Sequence, residues 1–103
     1  MGKSITVAVP HDLTPAEVKR RLVRALDDAR KKHAELLKDT RETWQTENQM
    51  DFVAHAMGQR ISGSIEIGTT HVQVSVTLPM LLAIFASKLE PQIKAEGQKL
   101  LKK

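Results

Sequence analysis

Ile5, Val7 and Val9 alternate with Ser4, Thr6 and Ala8 ahead of Pro10, the period-two pattern of a strand buried on one face and stopped by proline. The period then lengthens. Val18, Leu22, Ala25, Leu26, Ala29, His33, Leu36 and Leu37 recur at helical spacing, and Lys and Arg crowd the opposite side. This helix has a full start signal: Thr14 as N-cap, Pro15 at the first helical position, Glu17 to close a capping box, and Leu13 and Val18 as a hydrophobic staple. The spacing predicts a helix to about Lys38.

Three or four strands are predicted next. Met50, Phe52, Ala54 and Ala56 alternate with Asp51, Val53, His55 and Met57, and Gly58-Gln59 then offers a two-residue turn with glycine first. That turn sets Ala56 opposite Ile61, Ala54 opposite Gly63, Phe52 opposite Ile65 and Met50 opposite Ile67. A second turn at Gly68-Thr69 sets Ile65 opposite Val72, Gly63 opposite Val74 and Ile61 opposite Val76. All the apolar residues then share one face of an antiparallel meander. Leu78-Pro79 opens a second helix with Leu81, Leu82, Phe85, Leu89, Ile93 and Leu100 as its stripe, and Pro91 is expected to kink or restart it. The order is β-α-β-β-β-β-α. This is an α+β two-layer fold, a twisted antiparallel sheet with two helices packed on one face, helix-grip-like in plan. Residues 1–103 read as a single domain, with 91–103 a polar, lysine-rich end of the last helix.

Composition removes whole classes of function. Hydrophobic residues at 41% and charged residues at 27% describe a folded domain rather than a disordered or collagen-like chain. With no cysteine there is no disulfide, no Cys-based zinc site and no thiol nucleophile. Trp44, Phe52 and Phe85 are the only aromatic residues, too few for a base-stacking platform. The longest apolar run, residues 78–86, contains Pro79 and falls well short of the ~20 residues of a membrane-spanning helix. The net charge of +4 is unevenly spread, with the basic excess on the helical segments and the acidic excess on the strands. A positive helical side and a weakly negative sheet side are expected.

Several groups are candidates for chemistry or binding. The register places Asp51, Glu66 and His71 in one row on the solvent face, a set that could hold a divalent metal, although an open sheet favours a plain surface contact. His55, Ser62 and Ser75 form a second row without an orienting group. His33 near the end of the first helix reads as structural, as does His11 in the turn after Pro10. Ala54, Ala56 and Gly63 cluster on the buried face, where either a helix approaches closely or a ligand cavity opens between sheet and helix. Trp44 falls in the core if the turn before Met50 has three residues, and on the solvent face if it has two. Residues 80–86 are apolar all round, so Met80, Leu81, Ile84 and Phe85 either pack on the first helix or form a seam for a homodimer or an apolar surface. No nucleophile and base share a pocket, no cofactor motif is evident, and the chain reads as non-enzymatic.

Ile5-Thr6-Val7 with Pro10-His11, Trp44 with Met50 and Phe52, Ala56-Met57-Gly58-Gln59 with Ile61 and Gly63, Leu78-Pro79-Met80-Leu81-Leu82-Ala83, Lys88-Leu89, and Glu96-Gly97 with Leu100-Leu101 run in order through almost the whole chain. Together they resemble the putative polyhydroxyalkanoic acid system family of small bacterial proteins. The resemblance implies a cytoplasmic setting beside storage-polyester granules and implies no catalytic residue. Joined to the apolar helix start and its lysine-rich continuation, it suggests an accessory protein that meets a polyester granule or a granule protein. Two rivals remain. Arg20, Arg21, Arg24, Lys31 and Lys32 could meet RNA phosphates, although Asp27, Asp28, Glu35 and Asp39 interrupt that basic face. A cavity over Ala54 and Gly63 could instead carry small hydroxyacyl ligands.

Overall fold

The computed structural model describes residues 2–32, 34–35 and 37–102, and of residues 37 and 38 the backbone alone. His33 and Leu36 lie outside the described residues. The elements are β1 (Lys3–Pro10), α1 (Pro15–Lys32), β2 (Leu37–Thr46), β3 (Gln49–Ala56), β4 (Gln59–Ile67), β5 (His71–Leu78), a 3-10 segment (Met80–Phe85) and α2 (Ala86–Leu100). This is the α+β order expected. The strands form one antiparallel sheet in the order β1-β5-β4-β3-β2, so the chain's first strand closes on its last. Ile5 pairs with Val76, Val7 with Val74 and Val9 with Val72, and all of these lie on the inner face. Ile5, Val7, Val9, Met50, Ile65, Ile67, Val72, Val76 and Leu78 make the buried floor, capped by Val18 and Leu22 of α1 and by Leu82, Ala86 and Leu101.

The first helix, α1, begins as its local chemistry dictates. The Thr14 hydroxyl accepts the Glu17 N–H at 3.2 Å, which satisfies one otherwise orphaned donor of α1. Glu17 itself turns outward to Arg20 and Arg21 instead of closing the box. The end of α1 differs from expectation. The helix stops at Lys32, and Leu37–Thr46 is a strand. Residues 34–38 carry helix-compatible residues, but Leu37 and Lys38 pair with Ala56 and His55, and sheet pairing overrides the local preference.

The hairpins keep the expected faces and change the partners. The β3–β4 turn is Met57-Gly58, both at positive φ (55° and 73°), a type I′ turn one residue earlier than Gly58-Gln59. Met50 therefore pairs with Ile65, Phe52 with Gly63 and Ala54 with Ile61. The β4–β5 turn is Thr69-Thr70, closed by the Gly68 N–H donating to the His71 carbonyl, one residue later than expected, and Ile67 pairs with Val72. Each slip is two positions in register, so parity survives and every core residue stays inside.

Trp44 is decided by both turn length and a bulge. The β2–β3 turn has two residues, Glu47 and Asn48, which alone would turn the ring outward. An extra residue between Trp44 and Thr46 reverses parity, so Trp44 pairs with Met50 and lies half-buried against the core. The second helix also differs from its expected form. It begins as a 3-10 segment after Pro79, passes to α geometry at Ala86, and continues through Pro91 to Leu100. Pro91 and Ser87 are solvent-exposed, so the carbonyl freed by the missing N–H faces water. The division expected at Pro91 falls instead at Phe85-Ala86. α2 lies along β1, where a Cβ on Gly97 would come within 2.8 Å of Val9 Cγ2. It packs on the inner face of this edge strand; at the other edge the bulges of β2, with Asp39 at φ 50°, interrupt the strand.

Candidate apolar contact surface

Residues 78–86 carry no charge, and their winding decides what they expose. In a 3-10 helix side chains three apart eclipse each other. Leu82 and Phe85 accordingly share one side, with Leu82 buried in the core, while Leu81 and Ile84 stack on the side away from it. Leu81 is 70% exposed and Ile84 77%, with Met80 at 66% and Phe85 at 39% beside them. Single exposed apolar side chains are ordinary, but four on six consecutive residues form a ridge. Among the described residues, the main contacts of the segment are with α2 and β5 and not with α1. Its base is firm, because the Leu82 N–H donates to the Pro79 carbonyl at 2.9 Å and the Ala86 N–H to that of Ala83. Trp44 is not part of this surface: it sits on the β2 side, its ring 4.4 Å from Lys19 Nζ.

Among the described residues, the space expected at Ala54, Ala56 and Gly63 is filled at Gly63. Ala54 and Ala56 are buried, and the Phe52 ring lies across Gly63 so closely that a Cβ there would strike both the ring and the Ser75 carbonyl. The open apolar space lies elsewhere. A cleft of about 590 Å³ separates α1 from α2, with Ala25 and Ala29 on one wall, Leu89 and Ile93 on the other, and Val72 and Val74 in its floor. Composition hid it, since Ala25 and Ala29 read simply as part of the apolar stripe. Their spacing of four places two small side chains on the same wall, which was the available signal.

The solvent face assembles neither expected row. Asp51 stands beside Ser64 and Thr43, Glu66 beside Gln49 and Gln73, and His71 beside Pro10. His55 pairs with Arg60, Ser62 with Val53 and Thr77, and Ser75 with Ser64 and Thr6. The two-position register slips moved these residues apart along their strands. Among the described residues, no three His, Asp or Glu side chains converge on a metal-sized site. The face is also not the weakly negative side expected. Arg41 and Arg60 balance Asp51 and Glu66, while Glu42 points inward to Arg30 at 3.4 Å.

The basic face of α1 is largely engaged. Glu17 accepts Arg20 Nε at 3.0 Å and Arg21 Nε at 2.8 Å, and Asp27 meets Arg30 at 3.4 Å and Lys31 at 3.2 Å. The hydrogen bonds from Arg20 and then Arg21 hold the Glu17 carboxyl well below its usual range, at about 2, and Glu17 in turn raises Arg20. Arg24 makes no ion pair among the described residues. Arg21 also reaches across layers, donating to the carbonyls of Leu100 at 3.1 Å and Lys102 at 2.7 Å. His11 is a structural residue: the Leu13 N–H donates to Nδ1, so Nε2–H donates to the Gly68 carbonyl at 2.9 Å, and the His11 N–H donates to Thr70. These bonds tie the β1–α1 loop to the β4–β5 turn. The second tie was not visible in sequence, because its partner is distant along the chain.

No described helix is long and apolar enough to cross a membrane. Among solved structures the chain is similar to Ara h 8.0201, with TM-score 0.48 and 11% identity over 98% of this chain and 95% of that one. It is also similar to TTHA0849 from Thermus thermophilus, with TM-score 0.42 and 13% identity over 97% of this chain and 92% of that one. No curated protein matches it. The family described as Putative polyhydroxyalkanoic acid system protein matches residues 5–101. These residues take in every strand and helix but the first two positions of β1, and the chain belongs to that family.

Proposed function

We propose that this chain is a non-enzymatic accessory protein of polyester storage that meets an apolar surface, the granule or a protein coating it, through Met80, Leu81, Ile84 and Phe85. The observation that carries this reading is the uncharged 3-10 ridge, which leaves its largest side chains in water on a rigid base. Covering a side chain of this size is worth ~1.5–3 kcal/mol, so four of them together favour attachment to any apolar surface that can reach them. The family supplies the setting. RNA binding by α1 has less support, since Arg20, Arg21, Arg30 and Lys31 already hold carboxylates within the chain.

The test is sedimentation of the purified chain with polyhydroxybutyrate granules. The wild type is expected to pellet with them, and the Leu81→Glu/Ile84→Glu double variant to stay in the supernatant with an unchanged melting temperature, because both side chains point away from the core. A wild type that stays in solution while a granule coat protein pellets in the same tube defeats the proposal. Equal pelleting of wild type and double variant defeats the role of the ridge.

A further inference from the structure

We infer that the cleft between α1 and α2 is a binding site for a single unbranched acyl chain ending in a carboxylate. Two helices packed on a sheet normally approach to about 8–10 Å and close over it. Here they diverge. Ala25 and Ala29 draw back one wall, Leu89 and Ile93 form the other, and in the floor beneath Val74 of β5 is only half-buried beside the fully buried Val72. The volume of about 590 Å³ falls among small-molecule sites, which span roughly 300–1,000 Å³.

The lining selects the occupant. An extended peptide would bring backbone donors and acceptors into a space that offers it few polar partners, and each unpaired group costs free energy. A helix from a second copy, about 10 Å wide, would need roughly 850 Å³ for two turns. A hydrocarbon chain needs no hydrogen bonds and fits the volume. Charge complementarity supplies its end group. Through Ala25 and Leu100, which line both spaces, the cleft adjoins a smaller recess lined by Arg20, Arg21, Arg24 and Asp28. Arg20 and Arg21 are held by Glu17, whereas Arg24 has no ion-pair partner among the described residues. Asp28, a turn further along, is the only carboxylate in that recess, and Glu96 and Lys99 offset each other in the lining of the cleft. A carboxylate placed at Arg24 would gain a charge-assisted, bidentate contact while its chain lay between the helices.

This site is distinct from the 3-10 ridge and does not depend on granule binding. The experiment titrates the intact chain with decanoate, and separately with decan-1-ol, below their aggregation limits, following the methyl resonances of Val72, Val74 and Ile93 by NMR. Saturable one-to-one shifts with decanoate are expected. Arg24→Gln should weaken decanoate about tenfold and leave decanol unchanged. Val74→Phe, which fills the floor, should weaken both ligands by at least that factor, and Ala29→Phe serves the same purpose at a more tolerant wall position if the floor variant does not fold. The Leu81→Glu/Ile84→Glu variant should bind decanoate like the wild type, so failure of the ridge and failure of the cleft are told apart. The inference is overturned if the three methyl groups show no saturable shift, or if they shift with protein concentration alone, which would mean a second copy covers the cleft. Equal weakening of decanoate and decanol by Arg24→Gln would remove the carboxylate from the proposal.

Discussion

Glu17 closes only half of the capping box its position suggests, and the other half is more consequential. Its carboxylate gathers Arg20 and Arg21 in the first turns of α1, which neutralises part of the basic face and leaves Arg24 without an ion pair among the described residues. A carboxyl held at about 2, against an ordinary value of 4.5, stabilises the fold fully above the ordinary value, and that contribution is lost as pH falls toward 2. Wild type should therefore be more stable than Glu17→Gln at neutral pH, with the gap narrowing below about pH 4.5 and closing near pH 2. Thermal melts of the two proteins across that range check it; a gap that stayed constant would show that the ion pairs contribute nothing. At this scale the sequence was read well at Thr14 and at His11, whose structural role was expected. At Gly63 a close approach was legible but what makes it was not, because the ring that fills its space belongs to Phe52 on the neighbouring strand and not to a helix.

Elements show where local signals were ambiguous. In the β3–β4 hairpin the glycine was found but assigned to the wrong turn position. Sequence favours glycine first, as in type II′, whereas the strands take type I′ and put Met57 at φ 55°. A side chain other than Gly, Asn or Asp pays about 1–2 kcal/mol in that conformation. Met57→Asn, at a side chain 70% exposed, should therefore stabilise the protein by about 1 kcal/mol, read as a rise in the denaturant midpoint at constant slope. An unchanged or lower midpoint would count against the left-handed turn. The 3-10 segment is similar in kind: its apolar sequence was evident, but α and 3-10 windings of the same residues expose different sides. Only the 3-10 form eclipses Leu81 with Ile84 and makes one ridge of them.

Across the whole molecule the two helices are joined near the end of α2 and part over the centre of the sheet. Arg21 makes the join, donating from α1 to two carbonyls at the end of α2, where the negative end of the helix dipole adds to the attraction. Arg21→Met should cost about 1–2 kcal/mol, since charge-assisted hydrogen bonds at a partly exposed site are lost. Amide exchange should quicken at Leu100 and Leu101 and not in β3 or β4. A uniform change across the chain would show that Arg21 acts on global stability rather than on this junction. The α+β class, the element order, the buried faces of β1, β3, β4 and β5 and the uncharged segment after Pro79 were determined by the sequence alone, because period-two and period-3.6 patterning survives a two-position slip in register. The end of α1, the inward turn of Trp44, the dispersal of the Asp51–Glu66–His71 row and the cleft beside Arg24 were decided only by tertiary structure. Each depends on which strand outcompetes a helix, where a bulge falls, or how far apart two helices come to rest. Those are contests between distant residues, and periodicity along one chain does not record their outcome.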